Sequence, residues 1–134
     1  MSGCVLDTDV VIAALDRIDA HHRTAARALL KLIDRDVPLL LSTVNYAEAL
    51  VRPAEDERAL RVAGDAIAVL GVRLVAPSPR VARDAARHRG LGISLADGFA
   101  IATAQAHGAS VATFDRRVRR ALRRLGVALA PGLS

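Results

Sequence analysis

Residues 3–15 read Gly-Cys-Val-Leu-Asp-Thr-Asp-Val-Val-Ile-Ala-Ala-Leu, and this stretch decides the fold class. Its first four residues form a short apolar run that Asp7 ends, and a second apolar run begins at Val10. A short apolar run that passes at once into a helical pattern is typical of a β-α unit. The segment therefore predicts a first strand with Asp7 at its carboxyl end.

The alternation of short strands and helices continues along the whole chain. Strands are predicted at residues 3–6, 38–41, 72–76, 110–113 and 127–130. Further helices are predicted after residue 42 and at approximately residues 54–70, 79–89, 94–107 and 115–125. Uniformly apolar strands separated by helices are typical of a parallel sheet covered on both faces. We therefore expect an α/β fold with four to five parallel strands, in one domain that spans residues 1–134.

The composition describes an ordered protein with an aliphatic core. Hydrophobic residues make up 52% of the chain and charged residues 25%, which is typical of a globular domain. The aromatic side chains are only Tyr46, Phe99 and Phe114. This scarcity argues against a nucleic-acid module that reads bases by stacking on aromatic platforms.

The charge balance has two explanations, of which a polyanionic partner is one. The formal net charge is +5, and Lys31 is the only lysine among 19 basic residues. Arginine is well suited to phosphate, although a GC-rich coding sequence explains the same bias equally well. Cys4 has no partner for a disulfide, and the longest uncharged run, residues 98–114, is broken by polar residues and glycine. We therefore expect a cytoplasmic protein without a membrane segment.

Four acidic residues are placed where predicted strands end or the following helices begin. Asp7 follows the first strand, Asp115 lies two residues beyond the fourth, and Glu48 and Asp97 lie in early helical turns. In a parallel sheet such positions meet at one edge. Each acid also has a structural alternative, since Asp7 and Asp115 can cap helices, Asp97 and Ser94 fit a capping box, and Glu48 can be solvated.

The joint placement of the acids favours a metal site. Carboxylates gathered within a few ångströms repel one another by roughly 4 kcal/mol per close pair at an effective dielectric constant near 20. A divalent cation relieves this repulsion, and a set of oxygen ligands without thiol or imidazole selects Mg²⁺ or Mn²⁺ over Zn²⁺. Such ions activate water and stabilise charge on a phosphodiester that is being cleaved.

Four segments that carry these acids, taken in order, resemble the motifs of a known family. They are Val5-Leu6-Asp7-Thr8-Asp9, Tyr46-Ala47-Glu48-Ala49-Leu50, Ser94-Leu95-Ala96-Asp97 with Ile101-Ala102-Thr103-Ala104, and Val111-Ala112-Thr113-Phe114-Asp115. The ordered set, which covers nearly the whole chain, resembles the acidic motifs of the PIN-domain ribonucleases. Within that family it is similar to the VapC toxins of VapBC toxin-antitoxin pairs.

The resemblance implies a PIN-like three-layer sandwich and a Mg²⁺- or Mn²⁺-dependent endoribonuclease. Its catalytic and metal-binding acids correspond to Asp7, Glu48, Asp97 and Asp115, and Thr113 corresponds to a hydroxyl residue that orients a carboxylate or a water. Thr113 can equally be an ordinary residue at the end of a strand. The implied partners are an RNA substrate, a VapB-type antitoxin and a second copy of the chain in a homodimer.

Asp9 departs from the family pattern, because the family usually has a small polar residue at this position. The fifth carboxylate either binds the metal, through water, or points away as a first-turn residue that the helix dipole favours.

The segment 115–125 predicts a helix with one apolar face and six outward arginines. We predict that RNA phosphate lies across this helix, because like charges so close together repel one another unless an anion joins them. The alternative is a solvated face. The residues assigned to RNA binding are Arg116, Arg119, Arg120 and Arg123.

Two rival functions belong to other classes. The sequence Asp7-Thr8-Asp9 after a strand also begins the haloacid-dehalogenase phosphatases, but these need a later lysine, and Lys31 lies in an amphipathic helix remote from any strand end. The second rival is a catalytically silent module that binds RNA or an antitoxin. The presence of all four acids argues against it.

Overall fold

The centre of the molecule is a parallel sheet in which the first strand lies between the second and the fourth. The computed structural model describes residues 2–133. Its sheet has the order β3-β2-β1-β4, and every pair of neighbours is parallel. The strands are β1 (Cys4–Leu6), β2 (Leu39–Ser42), β3 (Arg73–Val75) and β4 (Ser110–Ala112). The predicted α/β class with a short parallel sheet is confirmed.

Helices fill the connections between the strands. They are α1 (Thr8–Leu15), α2 (His22–Asp34), α3 (Thr43–Ala49), α4 (Glu57–Val69), α5 (Pro79–His88), α6 (Leu95–His107) and α7 (Arg116–Leu125). Short 3₁₀ turns at Pro53–Glu55 and Arg89–Leu91 precede α4 and α6. The helix predicted from about residue 54 therefore starts later, because Asp56 caps the amide of Ala59. No helix within residues 2–133 has the length and apolar character needed to span a bilayer.

Successive residues of the central strand enter two different cores. Cys4 and Leu6 pack into one apolar cluster with residues of α1 and α2, while Val5 packs into the other with residues of α6 and α7. This alternation follows from the two-residue period of a strand, and it requires apolar residues on both faces. The uniform apolar character of β1 is therefore explained by helices on both sides.

Two sequence predictions about the sheet are wrong in detail. The predicted strand at 127–130 is only one parallel bridge between Leu129 and Val111, so the sheet has four strands. The segment predicted as a buried strand at 72–76 lies at the sheet edge, and Arg73 and Leu74 are exposed. An edge strand has a neighbour on one side only, which is why an apolar strand pattern alone did not fix its burial.

A glycine allows α5 and α6 to pack closely beside the acid-bearing end of α6. A Cβ atom at Gly98 would lie 2.7 Å from the backbone oxygen of Ala85, which is closer than packed atoms tolerate. Ser94 caps the same helix by accepting the amide of Asp97 at 3.1 Å. These two contacts fix where the first turn of α6, and with it Asp97, lies against the rest of the domain.

Candidate acid site

The strand order creates a crevice at the carboxyl ends of β1 and β4. From β1 the chain proceeds to β2 and β3 on one side and returns to β4 on the other, so the topology reverses between β1 and β4. Ligands of open α/β sheets bind at such a reversal, outside the carboxyl ends of the strands. Asp7 directly follows β1, and Thr113 directly follows β4.

Asp7 is a buried carboxylate held by two hydrogen bonds. Its side chain is 1% exposed. The amide of Thr8 donates to Oδ1 at 2.9 Å, and the Thr113 hydroxyl donates to Oδ2 at 2.8 Å. The Thr113 Oγ1 in turn accepts the amide of Asp115 at 3.1 Å. Thr113 thus orients Asp7 and fixes the start of the segment that carries Asp115.

Electrostatic repulsion shows that Asp7 has acidic neighbours. Burial raises the pKa of Asp7 well above its usual range, and the nearby Asp9 and Asp97 carboxylates raise it further. The hydrogen bonds from Thr113 and Thr8 act in the opposite direction but do not cancel the effect. Ionised Asp7 is therefore destabilised in the fold unless positive charge is supplied nearby.

Asp9 extends the same acidic group. The backbone amide of Phe114 donates to its Oδ2 at 3.0 Å, while its Oδ1 is buried and makes no hydrogen bond with residues 2–133. Burial raises the pKa of Asp9, the Phe114 and Val10 backbone amides lower it, and the Asp115 and Asp97 carboxylates raise it. The Asp9 carboxylate therefore lies near the other acids, and its binding of a metal through water stays a prediction.

Asp97 and Asp115 both take part in helix capping, which was the structural alternative to a functional role for each of them. The Ser94 amide donates to Asp97 Oδ2 at 3.2 Å, and the Arg117 and Val118 amides donate to Asp115 Oδ1 at 2.7 and 3.2 Å. Each cap occupies one carboxylate oxygen and leaves the other available. Capping and ligand binding are therefore compatible for these residues, and both acids act electrostatically on Asp9.

Glu48 does not belong to this interacting set. It is exposed on α3 and does not contribute to the repulsion that acts on Asp7 and Asp9. Its side chain lines a groove of about 670 Å³ between α1, α3 and α4, with Ile12 and Val62 among the apolar residues of its walls. Of the five acids predicted from sequence, the structure brings together Asp7, Asp9, Asp97 and Asp115.

Asn45 is a polar residue of the site region that sequence reasoning missed. It is fully buried, and its Nδ2 donates to Thr8 Oγ1 at 3.0 Å and to the backbone oxygen of Ala96 at 3.1 Å. The available signal was helical spacing, since Asn45 and Ala49 are one turn apart and both face the interior. An amide on the apolar face of a helix indicates a specific partner.

The arginine-rich helix α7 begins directly after Asp115. Its exposed arginines include Arg116, Arg120 and Arg123, as predicted for a surface available to phosphate. Arg119 differs, because its guanidinium donates to the backbone oxygens of Thr113 at 3.3 Å and Leu133 at 2.6 Å. Arg119 therefore anchors the C-terminal segment against the end of β4, and its assignment to RNA binding stays a prediction.

An aromatic contact lies beside the acids. The His21 ring stacks on Phe114 with centroids 4.3 Å apart and an angle of 16° between the planes. Because the Phe114 amide binds Asp9, this stack supports the turn that carries Asp115. By contrast, Lys31 is exposed in the last turn of α2, which leads to the amino end of β2. It therefore lies away from the acids, unlike the lysine a phosphatase of the rival type requires.

The chemistry of the acids fits a hard divalent cation. Within residues 2–133, no three His, Cys, Asp or Glu side chains form a ready metal cage. The donor set nevertheless consists of carboxylate oxygens, and among the described residues the buried Oδ1 of Asp9 has no hydrogen-bond donor. Unpaired carboxylate oxygens in a group of mutually repelling acids are the ligands that Mg²⁺ and Mn²⁺ prefer.

Comparison with known proteins identifies the family. The PIN domain profile matches residues 4–123. A search of curated proteins found no significant match. Among solved structures, the chain is similar to FitAcB from Neisseria gonorrhoeae at 26% identity and a TM-score of 0.69, over 94% of this chain and 95% of that one.

Two further similar structures carry lower identity. VapC20 from Mycobacterium tuberculosis, a sarcin-ricin loop cleaving toxin, is 21% identical with a TM-score of 0.70, over 89% of this chain and 95% of that one. VapBC2 from Rickettsia felis, bound to a promoter DNA fragment, is 16% identical with a TM-score of 0.74, over 94% of this chain and 96% of that one. These likenesses agree with the parallel α/β fold. The chain belongs to the PIN domain family.

Proposed function

We propose that the protein is a Mg²⁺- or Mn²⁺-dependent endoribonuclease and the toxin of a toxin-antitoxin pair. The observation that carries the proposal is the convergence of Asp7, Asp9, Asp97 and Asp115 at the topological reversal of the sheet. A fold gains no stability from gathering like charges around a buried, unpaired carboxylate oxygen. A site that takes up a cation explains the arrangement.

The residues have distinct roles in this proposal. Asp7, Asp9, Asp97 and Asp115 would hold the cation, and Glu48, which is exposed on α3, is a further proposed ligand. When bound, the cation supplies an activated water and stabilises negative charge on the phosphodiester. Thr113 keeps the Asp7 carboxylate oriented through its 2.8 Å hydrogen bond.

The exposed arginines of α7 would bind the RNA substrate. Arg116, Arg120 and Arg123 share one side of α7, which begins at the acid site, and their charges attract the phosphates of an RNA strand. Arg119 contributes by holding the C-terminal segment in place. The few aromatic side chains favour recognition of RNA shape over base stacking.

Cleavage of a structured RNA should depend strictly on the cation. We expect cleavage by the purified protein in Mg²⁺ or Mn²⁺, its loss in EDTA, and its recovery when excess Mg²⁺ is restored. Asp97→Asn should lower the rate by a factor on the order of 10², because it removes one of the converging charges. The measurement is the initial rate of cleavage followed by gel electrophoresis.

The matched control for Asp97→Asn is Asp65→Asn, which removes a carboxylate from the exposed face of α4. It should cleave at the wild-type rate. Cleavage that persists in EDTA contradicts metal dependence. The absence of cleavage by wild type under every condition, with RNA still bound, favours the silent binding module.

The proposed partner is a VapB-type antitoxin, as the similar structures of toxin-antitoxin complexes suggest. Expression of the protein alone should arrest growth, and co-expression of a small protein encoded beside it should relieve the arrest. Asp97→Asn expressed at the same level serves as the control and should not arrest growth. Unaffected growth on wild-type expression counts against a toxin.

A further inference from the structure

Asn45 ties together two helices that carry acids of the site. Its Nδ2 reaches Thr8 Oγ1 in the first turn of α1 and the backbone oxygen of Ala96 in the first turn of α6. A backbone oxygen can only accept, so the amide nitrogen must face Ala96 and the orientation of the Asn45 side chain is fixed. One amide group on α3 thus connects both helix starts.

The two anchor points lie next to the acids. Thr8 stands between Asp7 and Asp9, and Ala96 directly precedes Asp97. The Asp7 and Asp97 carboxylates repel each other, and this repulsion favours separation of the first turns of α1 and α6. The hydrogen bonds of Asn45 oppose this separation from the buried side.

Stability alone does not explain an asparagine at this position. The Oδ1 of Asn45 is buried and accepts no hydrogen bond from the part of the chain that the structure describes, which carries an energetic cost that an apolar side chain of the same branching would avoid. The Ala96 oxygen lies in a helix, where the amide four residues later is its regular partner. The side-chain amide of Asn45 therefore carries a cost in the core, but it connects the first turns of α1 and α6.

We propose that Asn45 is a positioning residue that sets the separation of Asp7 and Asp97, so that both carboxylates can share one divalent cation. The proposal rests on the cation site of the proposed function. Asn45 acts through Thr8 and Ala96 and does not itself contact the cation or the RNA. Groups that orient metal ligands typically contribute a factor of about 10 to 100 to metal affinity.

Mn²⁺ binding to the intact protein tests this role. Asn45→Leu keeps the branching of the side chain and removes both hydrogen bonds. We expect its dissociation constant for Mn²⁺, measured from the electron paramagnetic resonance signal of free Mn²⁺, to rise about tenfold or more. Its RNA cleavage should fall at low Mn²⁺ and recover at saturating Mn²⁺, because the acids themselves are intact.

Thr103→Val is the matched structural control. Thr103 is also buried, at 1% exposure, and its hydroxyl donates to the Phe99 oxygen within α6 at 2.7 Å. This variant loses a buried hydrogen bond but should bind Mn²⁺ as wild type does. A purely structural role for Asn45 predicts the same result for Asn45→Leu, which would overturn the proposal.

Substitutions of Thr8 provide a second route if Asn45→Leu folds poorly. Thr8→Ser keeps the hydroxyl and should preserve Mn²⁺ affinity, whereas Thr8→Val removes one anchor and should weaken it. Where Asn45→Leu does fold, the double variant Thr8→Val/Asn45→Leu should bind Mn²⁺ no more weakly than Asn45→Leu alone, since both changes break the same connection. Unchanged affinity in Thr8→Val, or additive losses in the double variant, contradicts the proposal.

The same titration separates this inference from the cation site itself. Equal Mn²⁺ binding by wild type and Asp97→Asn shows that the acids do not hold the ion, and the proposed function then fails together with the role of Asn45. Strong binding by wild type, loss in Asp97→Asn and no change in Asn45→Leu leaves the cation site standing and refutes the positioning role alone.

Discussion

Asp7→Asn is expected to abolish RNA cleavage while raising the melting temperature of the metal-free protein. The loss of cleavage should be on the order of 10³-fold, since the variant removes the most buried charge of the site. The gain in stability arises because the fold buries this carboxylate beside Asp9 and Asp97. An amide of the same shape carries no charge to repel.

The pH dependence of this gain has a definite sign. Because the pKa of Asp7 is raised in the folded protein, its contribution favours folding at acid pH and is lost as the pH rises through the folded pKa. Wild type and Asp7→Asn should therefore melt at similar temperatures near pH 3. The difference should widen toward pH 7, by about 3–6 °C for each kcal/mol of repulsion removed.

In the presence of Mn²⁺, wild type should melt at a higher temperature than Asp7→Asn, which reverses the order expected without metal. A ligand that binds only the folded state at 100 times its dissociation constant stabilises it by about 2.7 kcal/mol, and only wild type retains the full set of carboxylates. Thermal unfolding with and without Mn²⁺ measures this effect, with Asp65→Asn as the control that shifts in neither condition. A metal-free Asp7→Asn that melts below wild type at pH 7 would contradict the repulsion on which the site is argued.

The positions of Asp7 and Asp115 on the fold could be predicted from the sequence, because the end of a strand can be recognised where an apolar run stops. Asp7 and Asp115 follow apolar runs, and parallel strands place their carboxyl ends at one edge. The choice between a cap and a ligand could not be made in this way. It depends on which carboxylate oxygen faces the backbone amide, and Asp115 uses only Oδ1 for its cap, so its role as a metal ligand stays a prediction.

Other features depend on packing that no local pattern reports. Glu48 and Asn45 lie three residues apart on α3, but Asn45 is buried and Glu48 is exposed because the rotation of the helix is set by contacts with α1 and α6. In the sequence Arg119 is indistinguishable from its arginine neighbours, but in the structure its guanidinium donates to the carbonyl oxygens of Thr113 and Leu133. Tertiary context, rather than residue type, separates these residues.

Replacing Arg116, Arg120 and Arg123 with alanine should weaken RNA binding and flatten its dependence on salt. Each phosphate contact on a single strand contributes about 0.7 to the slope of log affinity against log salt concentration, so three lost contacts should lower the slope by about 2. Fluorescence anisotropy of a labelled RNA across a salt series measures the slope. Asp7→Asn is a useful background, because it should bind RNA without cleaving it.

The control must remove the same charge from another surface. Replacing Arg27, Arg58 and Arg61 with alanine does so on the exposed faces of α2 and α4, and it should leave the slope nearly unchanged. Equal slopes for the two triple variants would mean that net charge alone attracts RNA. A slope unchanged in both would return the arginines of α7 to a solvated face.

Arg119→Ala distinguishes phosphate binding from anchoring on the same helix. Its guanidinium donates to the Thr113 and Leu133 oxygens, so its loss should lower the melting temperature and leave the salt slope close to that of wild type. Because Thr113 also holds Asp7, cleavage should fall more than RNA affinity does. A full unit lost from the salt slope would instead place Arg119 on the RNA together with its neighbours.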